Sequence, residues 1–203
     1  MSKQITFNEK LQIISEIYFE KHNQSFSEDE IVSIENNLQI TIPIPLREFY
    51  LMFGGSLDLL KCMFDIAAPR ELYIQNNILM IAKEYQNVCS YGININTQKP
   101  MYFDDSNNII KTVNQDIEDF LIYLLAIQGT EYLHCIGKVS AEITVELEKY
   151  LFKISKGNGE GPVFCSRDGI IGVVVGNDIF LSAKSDDCME KLEDKSSLEI
   201  NFL

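Results

Sequence analysis

The chain has 203 residues, of which 46% are hydrophobic and 23% charged, a composition typical of a globular protein with a sizeable core. Asp and Glu number 30 against 17 Lys and Arg, and this formal charge of −13 argues against direct binding to nucleic acid or to an anionic membrane. No apolar run approaches the length of a membrane span, and residues 1–10 lack the apolar core of a signal peptide, which predicts a cytoplasmic protein.

The N-terminal third of the sequence predicts three helices. Apolar residues recur at helical spacing over 7–22: Phe7, Leu11, Ile14 and Tyr18. Ser27 and Glu30 then have the spacing of a capping box and predict the start of a second helix. Pro43 and Pro45 end that helix, because proline has no amide donor and the residue before it avoids helical angles.

The third helix is predicted to start at Pro45, which suits the first helical position. Its apolar side chains fall at i, i+3, i+4 and i+7: Leu46, Phe49, Tyr50 and Phe53. We expect this stripe to face the core. Gly54 and Gly55 follow it and can take the positive φ found at many helix C-termini.

From residue 70 onward, short apolar runs alternate with polar turns, which predicts a meander of antiparallel strands. The predicted strands span 71–75, 78–83, 88–95, 101–103 and 109–113. Asn76-Asn77 and the polar stretch 105–108 are predicted turns. Residues 57–68 fit either a strand or a turn of helix, and the apolar spacing over 115–128 predicts another helix.

Beyond Gly137 the sequence predicts a helix over 141–154 and then a set of hairpins. Asp168-Gly169 between apolar runs is a strong hairpin signal. The elements predicted after the helix are strands over 163–166, 170–175 and 179–183, a short helix within 185–195 and a last strand over 198–203.

The motifs of residues 27–128 resemble the SUKH superfamily, which contains bacterial immunity proteins and yeast cell-wall regulators of the Smi/Knr type. The segments that carry the resemblance are Ile34-Glu35, Ile42-Pro43, Leu46 to Phe53, Gly54-Gly55, Pro69-Arg70-Glu71-Leu72, Ile78 to Ala82, Glu84-Tyr85-Gln86, Tyr91-Gly92-Ile93 and Pro100. Tyr91 stands where the family usually has tryptophan, and Phe53 stands where it usually has asparagine.

The resemblance implies an α+β fold in which helices pack against one antiparallel sheet. Residues 1–136 would form the SUKH-like domain. Residues 137–203 would form a C-terminal α/β extension, a helix plus a β-hairpin, packed on the same domain.

The sequence contains no recognisable catalytic, metal or phosphate motif. Only His22 and His134 offer an imidazole to activate a Ser or Cys nucleophile. The five cysteines are odd in number and lack CxxC spacing, which argues against a disulfide framework or a zinc ribbon. The glycine-rich stretch 157–161 fits neither the Walker pattern nor GxGxxG and precedes a predicted strand. These observations favour a binding module without cofactor or metal over an enzyme.

Acidic side chains near predicted turns are the candidate residues for binding a protein partner. Asp104 and Asp105 come first, because they adjoin the polar turn at 105–108, and Asp58 and Asp65 come second. A solvated loop is the alternative interpretation of these carboxylates. Glu35, which matches the glutamate of the family's helix, is expected to bond backbone amides at a turn.

The resemblance implies an immunity protein that neutralises a cognate polymorphic or contact-dependent bacterial toxin by stoichiometric binding. Such toxins are often nucleases or nucleic-acid deaminases and tend to be basic, so an acidic neutraliser is electrostatically suited to them. Two alternatives stay open. One is a regulatory scaffold for a cellular protein, and the other is a small-molecule enzyme that uses the loop 157–161.

Overall fold

The computed structural model describes residues 5–19, 26–104, 109–157, 161–196 and 198–203. The helices are α1 Phe7–Tyr18, α2 Glu28–Leu38, α3 Ile44–Phe53, α4 Leu57–Leu60, α5 Ile117–Tyr132, α6 Thr144–Leu147 and α7 Asp186–Ser196, with short 3-10 helices at Pro69–Glu71 and Ala141–Ile143. The strands are β1 Phe64–Ile66, β2 Tyr73–Gln75, β3 Ile78–Glu84, β4 Cys89–Asn94, β5 Pro100–Asp104, β6 Ile109–Thr112, β7 Cys135–Ser140, β8 Phe152–Ser155, β9 Val163–Cys165, β10 Ile170–Val175, β11 Asp178–Ala183 and β12 Asn201–Phe202. The α+β fold class is therefore confirmed.

The chain divides into two compact units, and each contains one six-stranded antiparallel sheet. The N-terminal unit covers 22–121, and the C-terminal unit combines 1–21 with 122–203. The expectation of one sheet was wrong, because the chain after α5 builds a complete second sheet rather than a single hairpin. The units also divide within α5 rather than at the expected residue 137.

The start of the N-terminal unit follows the local signals of the sequence. Ser27 and Glu30 form the predicted capping box, since the Glu30 amide donates to Ser27 Oγ and the Ser27 amide donates to Glu30 Oε2. Glu35 then accepts a hydrogen bond from the Ile42 amide at 2.8 Å and one from Arg47 Nη1 at 3.0 Å. Glu35 therefore fixes the turn between α2 and α3, the structural role expected for it.

Helix α3 carries the aromatic core of this unit. Phe49, Tyr50 and Phe53 are fully buried, as the apolar stripe predicts. Burial raises the pKa of Tyr50, whose hydroxyl donates to the backbone oxygen of Ala67 at 2.9 Å. This hydrogen bond satisfies the one polar atom that α3 buries in the cluster.

The glycine that ends α3 serves a different purpose from the one expected. Gly54 has a right-handed φ of −61°, so the prediction of a positive φ there was wrong. A Cβ on Gly54 would lie 2.6 Å from the Tyr50 carbonyl oxygen and 3.2 Å from side-chain atoms of Phe26 and Pro69. The close approach of these groups, rather than backbone conformation, requires glycine here.

Gly54→Ala is therefore expected to destabilise the fold, by about 1–3 kcal/mol for a forced overlap in a packed region. The Tyr50 carbonyl cannot move aside without disturbing α3, so little relaxation is available. Urea denaturation followed by circular dichroism measures the effect. A midpoint equal to that of the unchanged protein would contradict the steric explanation.

The N-terminal sheet has the strand order β1-β3-β4-β5-β6. Strands β1 and β2 both pair with the same edge of β3, β1 with residues 82–84 and β2 with residues 78–80. Asn76 and Asn77 have φ values of 50° and 66° and form the predicted tight turn between β2 and β3. A bulge shifts the register of β3 between Met80 and Ala82. The segment 57–68 contains both of the structures considered for it, α4 and β1.

The C-terminal sheet has the strand order β12-β7-β11-β10-β9-β8. Its hairpins at Gly169 and Gly176, both with positive φ, are where the sequence predicts them, and α7 buries Met189 and Leu192 as expected. The predicted helix over 141–154 was wrong in its second half. Residues 152–155 pair with β9 instead, because the ladder supplies their backbone hydrogen bonds.

Helix α1 ends before the expected residue 22, whereas α5 takes one of the two ends that its sequence allows. Helix α1 stops at Tyr18, where Phe19 is already extended, and α5 continues past Gly129 to Tyr132. A Cβ on Gly129 would lie 2.7 Å from the Tyr18 hydroxyl, so this glycine allows α1 to approach α5 within the C-terminal unit. Among the described residues, no helix combines the length and the apolar character needed to cross a membrane.

Candidate functional site

The two faces of the N-terminal sheet have different roles, and strand register assigns each residue to one of them. Residues paired directly across antiparallel strands have side chains on the same face. On the inner face, Leu79 pairs with Ile93, and both are buried. Tyr91 on the same face contacts the rings of Phe64 and Phe120 at centroid distances of 5.6 and 5.5 Å. The inner face therefore faces the core of the unit.

The outer face contains two rows of paired residues that cross five strands each. The first row is Tyr73, Met80, Gly92, Met101 and Thr112. The second row is Asp65, Lys83, Ser90, Phe103 and Ile110. Both rows mix apolar side chains with a few polar or charged ones, as in protein–protein interfaces.

We define the outer-face patch as the apolar side chains of these rows together with Ile78, which lies two residues before Met80 on the same face: Tyr73, Ile78, Met80, Met101, Phe103 and Ile110. Ile78, Met80, Phe103 and Met101 form a cluster of their own. Tyr73 and Ile110 flank the cluster and are 53% and 47% exposed. Ile78, Met80 and Phe103 are buried, so the patch is accessible at its margins, where the partly buried Met101 adds a flexible side chain.

Gly92 and the bulge in β3 shape this patch. A Cβ on Gly92 would lie 2.5 Å from Ile78 Cγ2 and 3.2 Å from Met80 Sδ, so glycine lets both side chains lie against β4. The bulge places Ile81 as an extra residue between Met80 and Ala82. It returns Lys83 to the outer face beside Asp65.

Charged groups lie along one side of the patch, around a groove of about 240 Å³ lined by Lys61, Asp65, Ala67, Glu71, Tyr73, Met80, Ile81, Ala82, Lys83 and Ser90. Lys61 Nζ bonds to Asp65 Oδ1 and, at 2.9 Å, to Glu71 Oε2. The Lys61 ammonium and the Ala68 amide lower the pKa of Glu71. Two carboxylates thus share the Lys61 ammonium, and Lys83 also lines the groove, so this margin carries positive and negative groups in equal number.

The structure places the three predicted aspartates that it describes, Asp58, Asp65 and Asp104, in different positions. Asp65 lies on the outer face beside the patch, and Asp58 is exposed on α4. Asp104 pairs with Cys89 and so lies on the inner-face side of β5, half-buried, opposite in orientation to Phe103. Asp105 lies outside the described residues. Asp104 therefore does not form part of the surface described here, whereas the secondary candidate Asp65 does.

Sequence reasoning missed the apolar part of the site. The available signal was that Ile78, Met80, Met101 and Phe103 recur at a period of two on strands whose intervening residues are also apolar. A strand with apolar residues on both faces is covered twice or keeps one face for a partner. The pattern was used only to predict strands.

The residues considered for catalysis have different surroundings from one another. His134 is exposed, and the neighbouring Cys135 is buried. Burial, with a smaller effect of Asp186, raises the pKa of the Cys135 thiol to about 11, so this thiol keeps its proton at neutral pH. Residues 158–160 of the glycine-rich stretch lie outside the described residues, and so does His22. After this stretch the chain enters β9 rather than a helix. Among the described residues, no group of three or more His, Cys, Asp or Glu could hold a metal ion.

All five cysteines are free thiols, as the spacing predicts. Cys62 is half-buried, and its thiol donates to the Asp58 carbonyl oxygen at 3.1 Å, while the other four are buried: Cys89, Cys135, Cys165 and Cys188. Burial raises the pKa of Cys165 as well. These thiols therefore fill space in the interior.

Larger grooves occur in the C-terminal unit. One of about 740 Å³ and another of about 790 Å³ share Glu16, Ile17 and Lys184, and Arg167 and His134 line their walls. Their charged groups have both signs and do not assemble a nucleophile with a base. We therefore select the outer-face patch, where an apolar cluster on a sheet face has exposed apolar side chains at its margins.

Comparison with known proteins does not assign a function to this chain. No protein-family model and no curated protein sequence matches this chain. The SUKH resemblance rests on the residue pattern of 27–128 alone. Its functional implication therefore remains a proposal.

Proposed function

We propose that this protein is a SUKH-like immunity protein that binds a basic toxin one to one and blocks it through the outer-face patch. The observation that carries the proposal is an apolar cluster on one sheet face, with exposed apolar side chains at its margins, in a chain of net charge −13. The resemblance of residues 27–128 supplies the class of partner. The pattern of free, buried thiols and an isolated exposed His134 supports binding rather than turnover.

The patch contains the side chains that dominate protein-binding energy. Tyr and other large aromatic residues account for many interface hot spots, and methionine is enriched in interfaces. Tyr73 and Ile110 are the most exposed members, and they lie on opposite sides of the Met80–Met101 pair across the sheet. A partner that covered the patch would remove apolar surface from water at both margins.

Surface carboxylates would act at the encounter stage. A net charge of −13 attracts a basic protein over a distance of about 10 Å at moderate salt. Asp65 and Glu71 lie beside the patch and would orient the approach toward it. The carboxylates thus set the association rate, while the apolar contacts set the lifetime of the complex.

The first experiment is binding and rescue with the product of the adjacent gene. We expect a one-to-one complex by isothermal titration calorimetry and restored growth when this protein is co-expressed with that product. A binding partner encoded elsewhere, with no protection against the neighbouring product, would favour the regulatory scaffold instead. Turnover of a small molecule by the purified protein, without complex formation, would contradict both.

The charge argument predicts that Asp58→Lys combined with Asp65→Lys slows association about tenfold at low salt and flattens its salt dependence. The matched control is Asp194→Lys with Glu199→Lys, which changes the formal charge equally at exposed positions of the C-terminal unit. Stopped-flow association across a salt series gives both rates. Equal slowing by the two double variants would show that only total charge matters and would remove Asp65 from the site.

Asp104→Lys supplies a separate arm of the same series. Because Asp104 belongs to the inner-face side of β5, its reversal is expected to change the association rate no more than the control pair does. A larger effect at Asp104 than at Asp65 would return the binding site to the loop end of the sheet.

A further inference from the structure

Strand β6 forms one edge of the N-terminal sheet in the part of the chain that the structure describes. All four of its residues are exposed, and Ile109 and Ile110 are 41% and 47% exposed. Natural sheets shield their edges with charges, prolines or covering segments, since an open edge readily pairs with another strand. Strand β6 has one lysine, Lys111, and no proline.

The register identifies which backbone groups of β6 point outward. The Val113 amide donates to the Pro100 carbonyl oxygen at 2.9 Å, so these two residues occupy a hydrogen-bonded position. Such positions alternate along an antiparallel pair. Lys111, opposite Tyr102, is therefore bonded to β5, whereas Ile110 and Thr112 direct their amides and carbonyls away from it.

The outward backbone groups adjoin the outer-face patch. Ile110 pairs with Phe103 and Thr112 pairs with Met101, and both pairs lie on the outer face. A strand added beside β6 would place alternate side chains next to Ile110, in continuation of the patch. Backbone pairing and apolar contact would then act together.

We propose that β6 accepts an extended strand of the partner protein, so that the complex continues the N-terminal sheet by antiparallel or parallel strand addition. This inference rests on the proposed function, because the strand is taken to come from the basic toxin. It adds the binding mode: a segment with apolar residues at alternate positions, held by the amides and carbonyls of Ile110 and Thr112.

Charge favours a basic partner over a second copy of this chain at the same edge. Each copy carries a formal charge of −13, so two copies repel one another. An antiparallel pairing of two β6 strands that joined Ile110 to Thr112 of the other copy would also set Lys111 opposite Lys111. Like charges directly opposite one another destabilise a strand pair.

Amide hydrogen exchange followed by NMR tests the proposal directly. In the free protein we expect fast exchange at Ile110 and Thr112 and slower exchange at Lys111, whose amide bonds to β5. Addition of the purified, inactivated product of the adjacent gene is expected to slow exchange at Ile110 and Thr112 at least tenfold. Lys111 provides the internal control, because its protection should change far less.

Three outcomes would overturn the inference, and they are distinguishable. Binding without added protection at Ile110 and Thr112 would refute strand addition while leaving the proposed function intact. Protection in the free protein that rises with concentration would assign the edge to a second copy. Absence of any binding would refute the proposed function together with this inference.

Substitution at Ile110 separates the backbone from the side chain. Ile110→Pro removes the outward amide but no bond to β5, so the sheet should tolerate it as edge strands tolerate proline. Ile110→Ala keeps the amide and shortens the side chain. We expect the proline variant to bind at least tenfold more weakly than the alanine variant, with both folded by circular dichroism, and Thr112→Pro against Thr112→Ala repeats the comparison. Equal affinities within each pair would overturn the proposal.

Discussion

Phe49→Ala is expected to lower the free energy of unfolding by about 3–5 kcal/mol, the range for removing a buried phenylalanine. Phe49 is fully buried, and its ring contacts those of Tyr50 and Phe53 at centroid distances of 5.3 and 5.7 Å. Removal of the ring would leave a cavity between groups that α3 holds in place, so relaxation would recover little of the lost contact. This is the largest stability effect that we expect from a single substitution in α3.

The matched control for Phe49→Ala is Ile44→Ala in the same helix. Ile44 is 72% exposed, so its truncation removes little buried surface and should change stability by no more than about 0.5 kcal/mol. Guanidinium denaturation of both variants, with the slope compared to confirm two-state unfolding, measures the difference. Similar midpoints for the two variants would contradict the position of α3 in the core.

Local chemistry explains why parts of this fold could be predicted from sequence. Ser27 and Glu30 determine a helix start through bonds that span three residues. Asn76-Asn77 determine a turn because asparagine tolerates positive φ. In each case the interacting groups are near neighbours in the chain, so residue type and spacing carry the information.

Pairing between distant segments explains what the sequence did not reveal. Strand β7 pairs with β11 and β12, about 40 and 60 residues further along the chain. No turn residues next to 135–140 indicate that this segment is a strand. Strand β8 likewise exchanges a helical pattern for pairing with β9. In both cases the strand forms because a distant segment pairs with it, and a local sequence pattern carries no information about that segment.

The bulge in β3 explains why the candidate site was only partly predicted. Met80 and Lys83 are three residues apart, and simple alternation would place them on opposite faces. The register shift between Met80 and Ala82 puts both on the outer face. Asp65, paired with Lys83, thereby joins the side of the sheet that bears Met80, whereas Asp104 points to the other side. Strand alternation alone could not have separated these two aspartates.

The combined substitution Tyr73→Ala and Ile110→Ala is expected to weaken binding to the product of the adjacent gene about a hundredfold or more. Each residue is an exposed apolar side chain at a margin of the outer-face patch, and tyrosine is among the residue types whose truncation commonly costs 2 kcal/mol or more of binding energy. A hundredfold loss corresponds to about 2.7 kcal/mol. Because both side chains are about half exposed, their truncation should leave the unfolding midpoint nearly unchanged.

The matched control is Tyr85→Ala with Val88→Ala, in the turn between β3 and β4. Tyr85 and Val88 are 75% and 47% exposed, so the control removes the same kinds of side chain from the surface of the same unit. This turn lies at the end of the sheet where Cys89 pairs with Asp104, the end that the sequence had favoured for binding. Calorimetric titration of both double variants therefore compares the sheet face with the loop end. Loss of binding in the control pair alone would transfer the site to the loop end, because one tyrosine and one β-branched aliphatic residue are removed in each pair and the pairs differ chiefly in their position on the sheet.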